Sequence, residues 1–348
     1  MRVKPDGGRV QARSLIHPLI RLRIRLPALV AALAPVLLVP ASASALDCAR
    51  ATTENEKAIC SDASARDADN ALGKVFDALH GAAAANERAA LVAAQLRWIE
   101  LRDSNCATTK DAALSACLRD ETKQRIAFLT GTSAAGPGAP RALAPFFRQQ
   151  KGGKGRADID IQLLRFAAPA NAGEKAFNAE VAKLVQIREP ERGDPQADSY
   201  SYQWWMSLPY ASPRLVSAHA EGYEYAGGAH PNRFTVNFNL DVERQRLLAF
   251  DDLAAAPSAK KIFALCAEQV TKQKRERIDK ADDVGSPQDI LESVTKATGD
   301  LRAWGFGGDK ATIGYDPYAV GAYAEGDYSC EIPYAALRPL AKPDFPLP

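Results

Sequence analysis

The chain lacks the signatures that most enzymes leave. No GxSxG nucleophile turn, HExxH zinc helix or GxxxxGK phosphate loop occurs in its 348 residues. The usual signatures of α/β-hydrolase, zinc-protease and P-loop chemistry are therefore missing. Histidine is scarce: after His17 there are only His80, His219 and His230, too few for a zinc set without carboxylates that the sequence does not place. The six cysteines include no CxxC pair, which argues against a thiol-redox site or a zinc ribbon. No cluster of Lys and Arg interleaved with aromatics appears, so nucleic acid is not an expected partner. The apolar run Leu26–Val39 is interrupted by Pro27 and Pro35 and falls short of the ~20 residues that span a bilayer. The reading is a protein without catalysis, metal or cofactor.

What is present begins with an export signal. Arg2, Lys4, Arg9, Arg13, Arg21, Arg23 and Arg25 face a single acid, Asp6, ahead of that apolar run, and ASASA at Ala41 to Ala45 follows. The order basic, apolar, small predicts a secretory signal cleaved after Ala45 and a periplasmic or secreted protein with no transmembrane anchor. No Arg-Arg pair marks the leader for twin-arginine export, and Asp47 before Cys48 disfavours lipidation. The whole chain carries +2 and the leader +6, so the remainder carries −4, a weak preference for basic partners.

All six cysteines lie beyond the leader, and an even count in an exported chain reads as a disulfide framework. Residues 46–130 hold Cys48, Cys60, Cys106 and Cys117 around helical periodicity: Leu72, Val75, Phe76 and Leu79; Leu91, Trp98 and Leu101; Leu118, Thr122, Ile126 and Leu129. Three helices in an antiparallel bundle are expected. Ser61, Asp62 and Ser64 are cap candidates for the first helix and Asn86 for the second. In such a hairpin Cys60 and Cys106 share one end, which favours Cys60–Cys106 with Cys48–Cys117; the local pairing Cys48–Cys60 with Cys106–Cys117 stays open. Trp98 reads as a packing residue.

Gly131 to Pro145, GTSAAGPGAPRALAP, has no hydrophobic period and reads as a linker. Residues 146–348 then change period. Asp158 to Phe166 alternates as a strand, Asn171 to Glu189 as a helix, and runs from Ser199, Pro213 and Arg233 are rich in aromatic and β-branched residues, as antiparallel strands are. Two more helices and two strand-like runs close an α+β domain, a sheet packed against helices. Cys266 on a helix and Cys330 on the last strand are expected to pair.

Two resemblances go with this division. DCARATTENEKAIC at Asp47 to Cys60, QLRWIELRDSNC at Gln95 to Cys106 and CLRDETKQRIAFL at Cys117 to Leu129 resemble the N-terminal domain of LprI-type lysozyme inhibitors. YEYAGGAHPNRFTVNFNLD at Tyr223 to Asp241, LLAFDDL at Leu247 to Leu253 and YDPYAVGAYAEGDYSCEIPYAALRPL at Tyr315 to Leu340 resemble the extracellular sensor domain of the RsiV anti-sigma factor, which also occurs in PdaC-type deacetylases. The RsiV sensor binds lysozyme, so both resemblances imply a lysozyme-like muramidase as partner. The deacetylase histidines are absent, and Asp251 of Asp251-Asp252 reads as a helix N-cap rather than a metal ligand.

The expected binding loop is GGAHP with its flanks: Tyr223, Tyr225, Gly227, Gly228, His230 and Asn232. Two glycines allow positive φ and would present His230 on a turn; a tight hairpin in which His230 supports the fold is the plainer alternative. A different function class, an envelope scaffold or peptidoglycan-binding module, would use Trp204, Trp205, Tyr202 and Tyr210 as sugar-stacking surfaces. Trp204 and Trp205 must point to opposite faces of a strand.

Overall fold

The computed structural model describes residues 46–191, 193–278 and 284–348. The leader and the cleavage expected after Ala45 lie outside the described residues. The rest is a disulfide-bonded helical bundle followed by an α+β domain in which mostly antiparallel sheets pack against helices.

The bundle has four helices: α1 Glu54–Ser61, α2 Ala63–Ala82, α3 Ala85–Asn105 and α4 Asp111–Thr130. Thr53 starts α1 with a capping box, its hydroxyl accepting the Glu56 N–H at 3.2 Å while the Glu56 carboxylate accepts the Thr53 N–H at 2.9 Å. Asp62 caps α2 through the Ala65 N–H. Asn86 does not cap α3. It lies inside the first turn, and the Glu87 carboxylate takes the Ala84 N–H instead. Leu72, Phe76, Leu91, Trp98 and Leu129 form the core. Leu101 leaves the expected stripe and is 38% exposed, because ten residues beyond Leu91 at about 100° per residue falls well off the same line.

The disulfides join Cys48 to Cys60 and Cys106 to Cys117, overturning the pairing that a simple hairpin favoured. The cause is α1. It forms a separate helix packed against α4, where the Ser115 hydroxyl donates to the Ala58 carbonyl at 3.0 Å, and the turn holding Cys48 folds back onto its end. Cys106 closes α3 and Cys117 lies in the second turn of α4, so a short loop brings that pair together.

The larger sheet runs β1 Leu143–Gln150, β2 Asp158–Phe166, β3 Ser201–Ala211, β4 Leu215–Tyr225, β5 Asn232–Asp241 and β6 Arg246–Leu247, neighbours in chain order. Only β2 and β3 are parallel, and α5, Ala172–Lys183, makes the crossover between them. Phe177 and Val181 of α5 share one buried cluster with Ile159, Ile161, Leu163, Ala218 and Phe238. The smaller sheet, β7 Trp304–Gly307, β8 Lys310–Tyr315 and β9 Tyr328–Pro333, packs with α6 Phe250–Leu253, α7 Ala256–Arg277, α8 Pro287–Thr298 and α9 Tyr334–Leu337. Cys266 of α7 bonds to Cys330 of β9, as expected. At α6 the residue that takes the Ala249 N–H is Asp252, which also pairs with Arg246. Asp251, read as the cap, does not: Ala249 holds the N-cap position.

Gly131 ends α4 at φ +62, and a Cβ there would lie 2.0 Å from the Leu143 carbonyl. Only glycine lets the chain turn so closely past β1. The following segment is tied down: Ala134, Ala135 and Gly138 donate to the carbonyls of Leu208, Pro209 and Ala211, and β1 starts at Leu143 within it. Polar groups also join the bundle to the sheet. Buried Arg125 of α4 donates to Gln95 at 3.0 Å and to Gln162 of β2 at 2.6 Å. Asp160 accepts from Gln149, Gln162 and Trp205.

Arg97 of α3 grips Asp158 of β2 with two nitrogens, at 2.7 and 2.5 Å. Burial raises the Asp158 pKa, but the hydrogen bonds from Arg97 and the Gly152 N–H outweigh it and hold the carboxyl below 3.8. A depressed folded pKa gives stability that is present above the unfolded value and lost as pH falls through the folded one. An Arg97→Met variant should therefore be about 1 kcal/mol less stable near neutrality and converge with the parent as pH falls through the lowered Asp158 pKa. Thermal melts across that range check it; parallel curves down to pH 2 would remove the ion pair from the account.

Candidate functional site

The β4–β5 hairpin ends in a loop, residues 226–231, whose backbone needs its glycines. Gly227 has φ +83 and Gly228 φ +108, and a Cβ on Gly227 would lie 2.7 Å from the Gln196 side-chain oxygen. The Tyr225 hydroxyl closes the loop by donating to the Gly228 carbonyl at 3.0 Å. His230 Nδ1 lies 2.9 Å from the Pro231 carbonyl. A carbonyl only accepts, so Nδ1 carries a hydrogen, and in the neutral ring Nε2 is the acceptor.

The partner of Nε2 comes from far along the chain. The Tyr318 hydroxyl lies 3.2 Å away and donates to it, while the Tyr323 ring stacks on His230 with centroids 3.8 Å apart and donates its hydroxyl to the Pro231 carbonyl at 2.8 Å. Tyr318 sits in a turn closed by the Ala319 N–H on the Asp316 carbonyl. Pro317 occupies the second position and Tyr318, at φ +72, the third. That is the type II pattern, in which the third position favours glycine. A tyrosine there costs ~1–2 kcal/mol of backbone strain, yet its ring is 63% exposed.

Of the residues singled out in the sequence, His230, Gly227, Gly228 and Tyr225 are brought together at this tip. Tyr223 and Asn232 lie on the flanking strands, opposite Arg233 and Glu224 respectively. Tyr318 and Tyr323, which complete this cluster, were not among the residues singled out. The signal for Tyr318 was Asp-Pro-Tyr at 316–318, a turn sequence with a bulky residue where glycine belongs. The four proposed sugar-stacking rings are scattered. Tyr202 is buried with its hydroxyl on the Arg188 carbonyl, the Trp205 indole donates to buried Asp160, and Tyr210 packs against the core. Trp204 packs on the opposite face from Trp205 and stacks with Phe234.

Next to the tip runs a polar strip. His219 on β4 lies between Asn237 of β5 at 2.9 Å and Glu221 at 3.2 Å. Burial works against its charge, but the Glu221 and Asn237 hydrogen bonds prevail and hold its pKa above 6.5; His219 in turn lowers Glu221. Thr235, opposite Glu221 in the register, donates its N–H and hydroxyl to Asp316 at 2.9 and 2.6 Å, although burial raises the Asp316 pKa. Among the described residues no group of three or more His, Cys, Asp or Glu is placed to hold a metal ion, and no helix is long and apolar enough to cross a membrane.

Comparison with known proteins divides along the same line. Residues 48–129 match the lysozyme inhibitor LprI family. Residues 251–335 match a family of proteins of unknown function, DUF3298, a span that includes Tyr318 and Tyr323 but not the β4–β5 loop. Solved structures similar to the chain include a DUF3298 family protein from Pseudomonas aeruginosa PAO1, at 19% identity, TM-score 0.37, covering 58% of this chain and 93% of that one. A DUF3298 member from Bacteroides fragilis NCTC 9343 is 16% identical at TM-score 0.36, covering 57% and 91%. No curated protein matches the chain.

Proposed function

We propose that this is an exported, non-catalytic binding protein of the cell envelope whose hairpin tip captures lysozyme-like muramidases. The observation that carries the reading is Tyr318, an exposed residue on strained backbone, braced by His230 of the β4–β5 loop and by Tyr323 of its own segment. Local sequence rules are broken mostly where function needs it, and a rigid aromatic is the kind of side chain that dominates protein interfaces. The partner class is supported by the name of the family matched over residues 48–129 and by the resemblance of the second half to a lysozyme-binding sensor. The charge of −4 beyond the leader favours a basic enzyme.

The tip would enter the muramidase cleft, with Tyr318 leading and residues 223–232 beside it. The test is a pull-down of the chain from Leu46 onward with c-, g- and i-type lysozymes, followed by a lytic assay. Retention of at least one class with reduced lysis supports the reading; retention on purified peptidoglycan alone would favour the glycan-binding alternative, for which the Trp204–Phe234 pair is the remaining aromatic surface.

Two substitutions separate binding from folding. His230→Ala removes the Tyr323 stack and the Tyr318 acceptor, and should weaken binding about ten-fold with little change in melting temperature. Gly228→Val should lower both, because φ +108 is closed to a β-branched residue. If His230→Ala destabilises the fold while binding survives, His230 is structural and the surface lies elsewhere.

A further inference from the structure

We propose that His219 is a pH-sensitive latch holding the Tyr318 turn in its binding shape, so that capture at the tip weakens as the medium turns alkaline. The binding arm of this inference rests on the muramidase reading; the structural arm stands without it.

The donors and acceptors around His219 fix its state. Asn237 donates its amide N–H to the Arg302 carbonyl at 3.0 Å, which turns its oxygen toward His219 Nδ1. An amide oxygen only accepts, so Nδ1 carries a hydrogen. Nε2 faces the Glu221 carboxylate, which also only accepts, so Nε2 carries one too. A ring protonated at both nitrogens is the imidazolium.

That cation faces the carboxylates that organise the turn. Glu221 touches it, and Asp316, which begins the Tyr318 turn, is tied to Thr235 directly across from Glu221. Among the described residues the other charged groups are Arg233, which acts on Glu221 and pairs with Asp327 at 3.7 Å, Asp327, which acts on Asp316, and Arg277 of α7, which donates to the Asp327 carbonyl at 2.6 Å. From β3 the residue opposite His219 is uncharged Ser207. Arg302 contributes its carbonyl, and its guanidinium is held by Asp300. When the ring loses its proton, Glu221 and Asp316 lose the cation set between them, and Glu221 keeps Arg233 as its counter-charge. A folded pKa held above 6.5 means that the contribution is complete below that value and disappears as pH rises through the folded one.

The test uses the chain from Leu46 to Pro348. The His219 ring should titrate above 6.5 by NMR. Amide-exchange protection of residues 318–325 should fall about five-fold between pH ~6 and ~9, and the Kd for a c-type lysozyme should rise by a similar factor. His219→Gln should remove both steps. A midpoint at or below 6.5, or the same pH profile in parent and His219→Gln, overturns the latch. If no lysozyme binds at any pH while the protection step is present in the parent and absent in His219→Gln, the latch stands and the muramidase reading fails.

Discussion

An Arg125→Ala variant is expected to lose about 3 kcal/mol of stability and to unfold in two steps where the parent unfolds in one. Arg125 is 4% exposed, and burial pushes its pKa down to about 9, so it is still charged at neutral pH. Among the described residues no carboxylate bonds to it directly. Its charge is held by the Gln95 and Gln162 oxygens and by the faces of Trp98, Phe128 and Phe147, each within 5.3 to 5.9 Å. Truncation would leave two amide oxygens buried without a donor and a hole between bundle and sheet. Arg125→Met, which keeps the volume and stem, should cost markedly less. Because the same residue joins α4 to β2, its loss should also expose residues 131–145 to protease, while in the parent they are held along β3. Early cleavage of that segment in the parent, or a single unchanged transition in Arg125→Ala, would mean that the bundle and the sheet are not coupled through this residue.

The second large effect concerns Cys266–Cys330. Replacing both by alanine should cost about 4 kcal/mol, because the bridge closes a 64-residue separation and the entropy it removes from the unfolded chain grows with loop length. Both residues are fully buried, so the gap left by the sulfurs adds to the loss. The same change at Cys106 and Cys117, eleven residues apart, should cost closer to 3 kcal/mol. Denaturant titration of the two double variants measures the difference. Equal midpoints would show that local packing, rather than loop closure, sets the value of these bridges.

Much of the architecture was legible because it follows short periods. The alternation in Asp158 to Phe166 and the aromatic, β-branched runs of β3, β4 and β5 gave strands where strands lie, and the change of period near residue 146 marked the passage from bundle to sheet. What escaped had physical reasons. β1 carries Pro145 and follows a Gly- and Pro-rich segment, so its pattern reads as coil, yet an edge strand tolerates proline. β7 is four residues, two of them glycine. The cysteine pairing depended on whether residues 54–61 form a separate helix, and propensity alone does not fix how a short helix packs. At the site, the GGAHP loop announced itself through its glycines. Tyr318 and Tyr323 sit nearly a hundred residues downstream, and only the fold brings them to His230.

Tyr318→Gly tests the central claim most directly, because it removes the ring and relieves the backbone at once. Glycine suits φ +72, so the variant should melt no lower than the parent and be stabilised by up to ~1 kcal/mol. Calorimetric titration with a c-type lysozyme that the parent binds should nevertheless show affinity reduced about 100-fold, the scale of a central interface residue. A variant that binds as tightly as the parent would contradict the account, since the strained tyrosine would then have no part in capturing the partner.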